Sequence, residues 1–276
     1  MTLIELLILA VSGLFAGVLA GFLGIGGGTV LVPLLVTLGF EPVQSVATSS
    51  LSIVITALSG SIQNWRMGYL SINRVVGIGF PAVITAQLGV YLANLFPAHW
   101  LLFSFGLLLI LNVYLVEFRK QITTQKKQEE ELQKNHHPEA NSVAKIPDKY
   151  VKVSARIITG SFAGLLAGLF GVGGGVIMVP LQILLLGESI KVAIQTSLGV
   201  IVITAISACI GHAVRGNVLL IPGLVLGFGG LLGVQFSTRF LPKLPEKVVS
   251  LAFRGLLAIL SIYIFWQAWQ NYTNTI

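Results

Sequence analysis

The chain has 276 residues, 55% of them hydrophobic and only 10% charged, where a soluble domain carries about 25% charged residues. With a mean hydropathy of +0.89, this excludes an ordinary water-soluble globule, and lipid must be the solvent for most of the surface. The net charge of +7 does not indicate nucleic acid: 8 of the 17 Lys and Arg lie between Arg119 and Lys152, and no basic stripe with interleaved aromatic residues occurs.

The run Leu3–Leu23 has no Lys or Arg before it, unlike the start of a signal peptide, and is predicted to stay as a membrane helix. Apolar stretches follow at 29–39, 43–62, 75–96 and 100–116. After a polar interval they recur at 157–170, 176–186, 192–210, 218–240 and 248–269. A full crossing takes about 20 residues. The stretches 29–39 and 176–186 are too short, and each follows a glycine cluster and contains a proline, Pro33 or Pro180. The polar interval, with Glu129-Glu130-Glu131 and His136-His137-Pro138, reads as a linker. Two adjacent histidines lack the further ligands a metal site needs. Cys209, the single cysteine, rules out an internal disulfide and a thiolate cluster and reads as a small packing residue. No metal or cofactor is expected.

The chain repeats itself. Ala16-Gly17-Val18-Leu19-Ala20-Gly21-Phe22-Leu23-Gly24-Ile25-Gly26-Gly27-Gly28 is echoed by Ala163-Gly164-Leu165-Leu166-Ala167-Gly168-Leu169-Phe170-Gly171-Val172-Gly173-Gly174-Gly175, at an offset of 147. Val32-Pro33-Leu34 matches Val179-Pro180-Leu181, and Ser49-Ser50-Leu51 is set against Thr196-Ser197-Leu198. With small shifts Asn64 and Gly68 match His212 and Gly216, and Gly89 matches Gly233. Paired halves with broken apolar segments at matching places suggest a secondary transporter with its site at the repeat interface. The expected fold is an all-α polytopic membrane protein of two inverted-topology repeats, each a Gly-broken helix pair plus three transmembrane helices. The first covers 1–118, a cytoplasmic linker 119–154, and the second 155–276. Inversion places Arg66, Arg74, Lys191, Arg239, Lys243 and Lys247 on the linker's side and leaves Arg215 opposite, with both termini outside; parallel halves would put four of these basic residues outside.

Successive glycines turn the backbone so that several N–H groups face one point, and a helix N-terminus adds its positive end. Gly26, Gly27, Gly28 and Gly173, Gly174, Gly175 are therefore the candidate anion cradle, whereas Gly17, Gly21, Gly164 and Gly168 have the spacing of close helix packing. No Lys-Ser/Thr follows either cluster, so a nucleotide P-loop is excluded. Ser49, Ser50, Thr196 and Ser197 are candidate hydroxyl donors; the alternative is bonding back into their own helices. Asn64, His212 and Arg215, near the ends of those spans, are candidates for gating or coupling, His212 through a proton and Arg215 by steering anions; capping or anchoring is the alternative for His212. Glu41 and Glu188, matched at 147, are expected to cap the next helix. No carboxylate lies deep in a span, which disfavours a cation pump, and no catalytic constellation appears.

The doubled Gly-x-Gly-Gly-Gly with Val-Pro at fixed distance, the downstream Ser/Thr-Ser-Leu, the His-x-x-x-Gly from His212 and the long central loop resemble the sulfite exporter TauE/SafE family of membrane permeases. The resemblance spans nearly all of the chain outside 119–154. It implies permease activity toward sulfite, sulfonates or related anions in the cell membrane, without fixing the cargo or its direction. Asn64 stands where His212 would repeat, so a coupling histidine would come from one half alone. The partners expected are a small anionic substrate and membrane lipid, with no nucleic acid and a homodimer left open. An anion channel and a divalent-metal permease are the rival readings.

Overall fold

The computed structural model describes residues 3–111, 114 and 148–273, and those residues are helical wherever they are regular. The helices are α1 (Leu3–Leu23), α2 (Gly28–Thr37), α3 (Pro42–Arg66), α4 (Ile72–Leu95), α5 (Ala98–Leu111), α6 (Asp148–Phe170), α7 (Gly175–Leu185), α8 (Ile190–Val214), α9 (Leu220–Phe240) and α10 (Glu246–Thr273). Seven of them are long and apolar enough to cross a bilayer: α1, α3, α4, α6, α8, α9 and α10. The chain is an all-α polytopic membrane protein. The expected linker lies largely outside the described residues, His136 and His137 included. Its end is already helical, because α6 begins at Asp148.

The short helices α2 and α7 follow the glycine clusters. Gly24, Gly26 and Gly27 have φ of 67°, 76° and 80°, and Gly171, Gly173 and Gly174 have 63°, 70° and 77°. An L side chain in that region costs about 1–2 kcal/mol per residue, so three such residues in four positions stop α1 and α6 and re-aim the chain.

The fourth helix of each half packs on the other half. α1 lies along α9, and α4 along α6; α3 also meets α9, and α8 meets α4. Small residues make the approach possible. A methyl at Gly17 would collide with the carbonyl of Gly230, and one at Gly164 with the carbonyl of Ala82. The four glycines of the small-xxx-small pairs are thus packing positions: Gly21 is filled by the Ser237 side chain, and Gly168 meets Ala86. Knobs and holes are exchanged as well. Ile55 packs on Gly227, and Ile203 on Gly79; Leu51 packs on Gly223, and Val75 on Gly199.

These contacts correct the register of the repeat. The offset is 147 through the glycine turns but 148 from Gly39 and Gly187 onward, because α7 is one residue longer than α2 (11 against 10). Ser49 therefore corresponds to Ser197, and Ile53 to Ile201. Asn64 does correspond to His212, since each accepts at its carbonyl from the residue after a positive-φ glycine, Tyr69 and Asn217. Glu41 corresponds to Ser189 instead of Glu188, and both stand at N-cap positions. Ser189 Oγ accepts from the Val192 N–H, while Glu41 makes no capping bond. Glu188 pairs with Arg74 at 3.3 Å. At offset 148 Gly89 falls opposite Ser237, not Gly233.

Candidate functional site

The two glycine turns meet each other. A methyl at Gly28 would strike the Gly171 carbonyl, and one at Gly175 the Gly24 carbonyl, so the contact is reciprocal. All residues of 24–28 and 171–175 are buried. The side chains of Ile53 and Ile201 close over them: a Cβ at Gly26 would lie 3.4 Å from the Cγ2 of each, and one at Gly173 would lie 2.8 Å from Ile201 and 3.3 Å from Ile53. The first N–H groups of α2 and α7 lack intrahelical acceptors by helix geometry, although that of Val30 bonds the Gly27 carbonyl at 3.1 Å. Two positive helix ends thus come together deep in the protein under an isoleucine pair that sequence patterning does not single out.

The predicted hydroxyl donors are placed differently from one another. Ser49 Oγ–H lies within reach of the carbonyls of Val46 (2.9 Å) and Gly171 (2.8 Å), the second a bond between the halves. Ser50 bonds back to Val46 at 2.9 Å. Ser197 bonds back to the Ala193 carbonyl at 2.6 Å and accepts from Gln182 Nε2 at 3.2 Å. Thr196 is 1% exposed. Thr204 donates to the Gly173 carbonyl at 2.9 Å, tying α8 to the second turn.

Asn64 and His212 are both fully buried. His212 Nε2 lies 3.0 Å from the Gly168 carbonyl, which makes that nitrogen the protonated one. Its Nδ1 has no partner among the described residues, and neither amide atom of Asn64 has one. Arg215 is exposed and turns back to bond the Gly211 carbonyl at 2.9 Å.

Sequence reading missed Gln182, Thr29 and Ser45. Gln182 is fully buried, with Nε2 toward Ser197 and Ala193 and its Oε1 unpartnered among the described residues. Thr29, Ser45 and Ser52 are 0% exposed with unpartnered hydroxyls. The hydroxyl-rich start of α3 was legible; that Ser45 and Ser52 lack acceptors depends on packing.

A helical bundle whose two halves break their helices at matching places is an architecture found in many polytopic membrane transporters. Residues 9–264 match the sequence profile of the sulfite exporter TauE/SafE family, and the chain belongs to that family. It is similar to the "Probable membrane transporter protein YunE" of Bacillus subtilis, 27% identical over 94% of this chain and 97% of that one. It is likewise similar to the "Probable membrane transporter protein MJ0441" of Methanocaldococcus jannaschii, 24% identical over 87% and 90%. The "Sulfite exporter TauE/SafE family protein 1" of Arabidopsis thaliana is 27% identical over 40% of this chain and 26% of its own length. No solved structure matches the chain. The protein is a membrane transporter and not an enzyme.

Proposed function

We propose that this transporter carries a small sulfur-containing oxyanion such as sulfite or an organosulfonate, held at the paired glycine turns and moved by alternating access between inverted repeats. The observation that carries the reading is the reciprocal contact of the two turns, which puts the N-terminal ends of α2 and α7 side by side. Two helix N-termini attract negative charge without a buried cation. Among the described residues the fully buried polar set contains hydroxyls, amides and His212 but no Lys, Arg, Asp or Glu, which disfavours a metal cation as cargo.

Inversion is supported by which helix ends meet. The start of α8 lies beside the start of α4, through Arg74 and Glu188, and beside the end of α9, where Lys191 Nζ donates to the Pro242 carbonyl at 2.8 Å. The start of α3 lies at the start of α9, where the Leu219 N–H donates to Thr48 Oγ1 at 3.1 Å. The corresponding helices α3 and α8 then run in opposite senses. The end carrying Arg74, Arg156, Lys191, Arg239 and Lys243 takes the cytoplasmic side, with the linker. The burial of both turns under Ile53 and Ile201 corresponds to a state closed to both sides, and opening separates these isoleucines. Because α4 and α9 are exchanged, the rocking bodies contain α9 with α1–α3 and α4 with α6–α8.

The test is thermal unfolding of the purified protein against sulfite, methanesulfonate, sulfate, thiosulfate, chloride and Ni²⁺. A ligand binding only the folded state stabilises by about 2.7 kcal/mol at a hundredfold excess over its Kd. A rise with a sulfur oxyanion, absent in a folded Gly27→Ala variant, is expected. A rise with Ni²⁺ alone, or none at all, overturns the reading.

A further inference from the structure

The two turns are alike in backbone but not in what surrounds them. Thr29, Ser45 and Ser52 of the first half are fully buried, and their hydroxyls have no partner among the described residues. Their counterparts are Val176, Ala193 and Val200, at offset 147 for the first and 148 for the others. Three buried hydroxyls without acceptors in one half thus stand where the other half has three apolar side chains. A buried hydroxyl left unbonded costs about 1–3 kcal/mol, so a fold that needed only packing here already has the cheaper solution written in its other half.

The three residues are next in sequence to the residues of one junction. Thr29 follows Gly28, which abuts Gly171, Val172 and Ile53. Ser52 precedes Ile53. Ser45 precedes Val46, whose backbone abuts Gly171, and Ser45, Ser49 and Ser52 share one helical face. The second half has open buried polar atoms of its own, among them the Thr159 hydroxyl, Gln182 Oε1 and His212 Nδ1, but none stands at the counterpart of Thr29, Ser45 or Ser52, and Gln182 Oε1, an acceptor, does not attract an anion.

We infer that the first half holds the polar pole of the substrate site, where Thr29, Ser45 and Ser52 donate to the oxygens of a singly charged oxyanion, and that the second half supplies an apolar wall. The inference rests on the oxyanion cradle and narrows it. Charge selection follows from the same residues. The pole offers neutral donors and a helix end, and no Lys or Arg is among the buried residues described. Desolvation cost grows with the square of the charge, so a monoanion is accommodated where a dianion lacks a countercharge.

The test compares wild type with the variant Thr29→Val, Ser45→Ala, Ser52→Val, which writes the second half's residues into the first, and with each single change. Unfolding temperatures are recorded without ligand and with methanesulfonate, sulfite and sulfate. Methanesulfonate is expected to stabilise wild type and sulfate to leave it unmoved. The sulfite response should grow as pH falls and hydrogen sulfite replaces sulfite. The triple variant should melt at or above wild type without ligand and bind methanesulfonate at least tenfold more weakly. The inference is overturned if the variants keep the full methanesulfonate shift or if sulfate stabilises as strongly. Variants, singles included, that melt well below wild type without ligand overturn it too, since the hydroxyls would then be structural. A wild type that answers to no anion overturns the cradle reading itself.

Discussion

Gln87 and Ser207 join opposite halves of the chain: Gln87 Nε2 donates to the Ser207 carbonyl at 2.6 Å and to its Oγ at 2.9 Å. The bond has a twin 148 residues on, where Gln235 Nε2 donates to the Ser59 carbonyl at 3.4 Å and its Oγ at 2.9 Å. The paired bonds fasten α4 to α8 and α9 to α3, the helices that the fold exchanges between halves. An interhelical side-chain bond in a membrane averages about 0.6 kcal/mol, with a maximum near 1.7. Gln87→Leu and Gln235→Leu are each expected to destabilise by an amount in that range, and to add within about 0.5 kcal/mol when combined, since the sites share no partner. Reversible unfolding in mixed micelles measures this. A silent Gln87→Leu beside a collapsed Gln235→Leu would show that the twins are not equivalent.

Sidedness follows from the helix ends. Asn217 bonds Asn94 at 2.8 Å at the end of α4, and Lys243 lies at the end of α9. With Cys209→Ser as background, Asn217→Cys is expected to react with a membrane-impermeant maleimide on intact cells, and Lys243→Cys only after lysis. The reverse pattern, Lys243→Cys labelled on intact cells and Asn217→Cys only after lysis, would remove the inverted arrangement.

Glu188 gives a pH dependence with a definite sign. It lies between α7 and α8, outside the spans, and burial raises its carboxyl above the ordinary value, while Arg74 and Arg156 pull it partly back. An acid whose folded pKa is raised binds more protons folded than unfolded between the two values. Its contribution to stability is therefore greatest on the acid side and is lost as pH rises through the folded pKa. Unfolding midpoints measured from acidic to neutral pH should show this loss, and Glu188→Gln should flatten it. An unchanged profile in that variant would assign the dependence to another group.

Much of the fold is legible before any coordinates. The membrane class, the two halves, the short helices and the glycine turns follow from local chemistry: apolar run length against bilayer thickness, and positive φ that only glycine adopts cheaply. The single-residue drift of the repeat leaves only a faint mark, Gly39 coming 11 residues after Gly28 and Gly187 coming 12 after Gly175, and the two glutamates at offset 147 mask it. Glu188 shows the consequence: aligned with Glu41 it looks like a cap, whereas in space it is the partner of Arg74.

The sequence by itself determined that the chain lives in lipid, that it is doubled, and where each half breaks its helices, since these depend on residue type and spacing along the backbone. Only the tertiary structure decided that α4 and α9 pack on each other's halves, that Ile53 and Ile201 close the turns, and that Thr29, Ser45 and Ser52 are left without acceptors. In lipid one apolar helix face is as good a neighbour as another, so pairing is set by close fit and shared hydrogen bonds, and those exist only once distant segments have met.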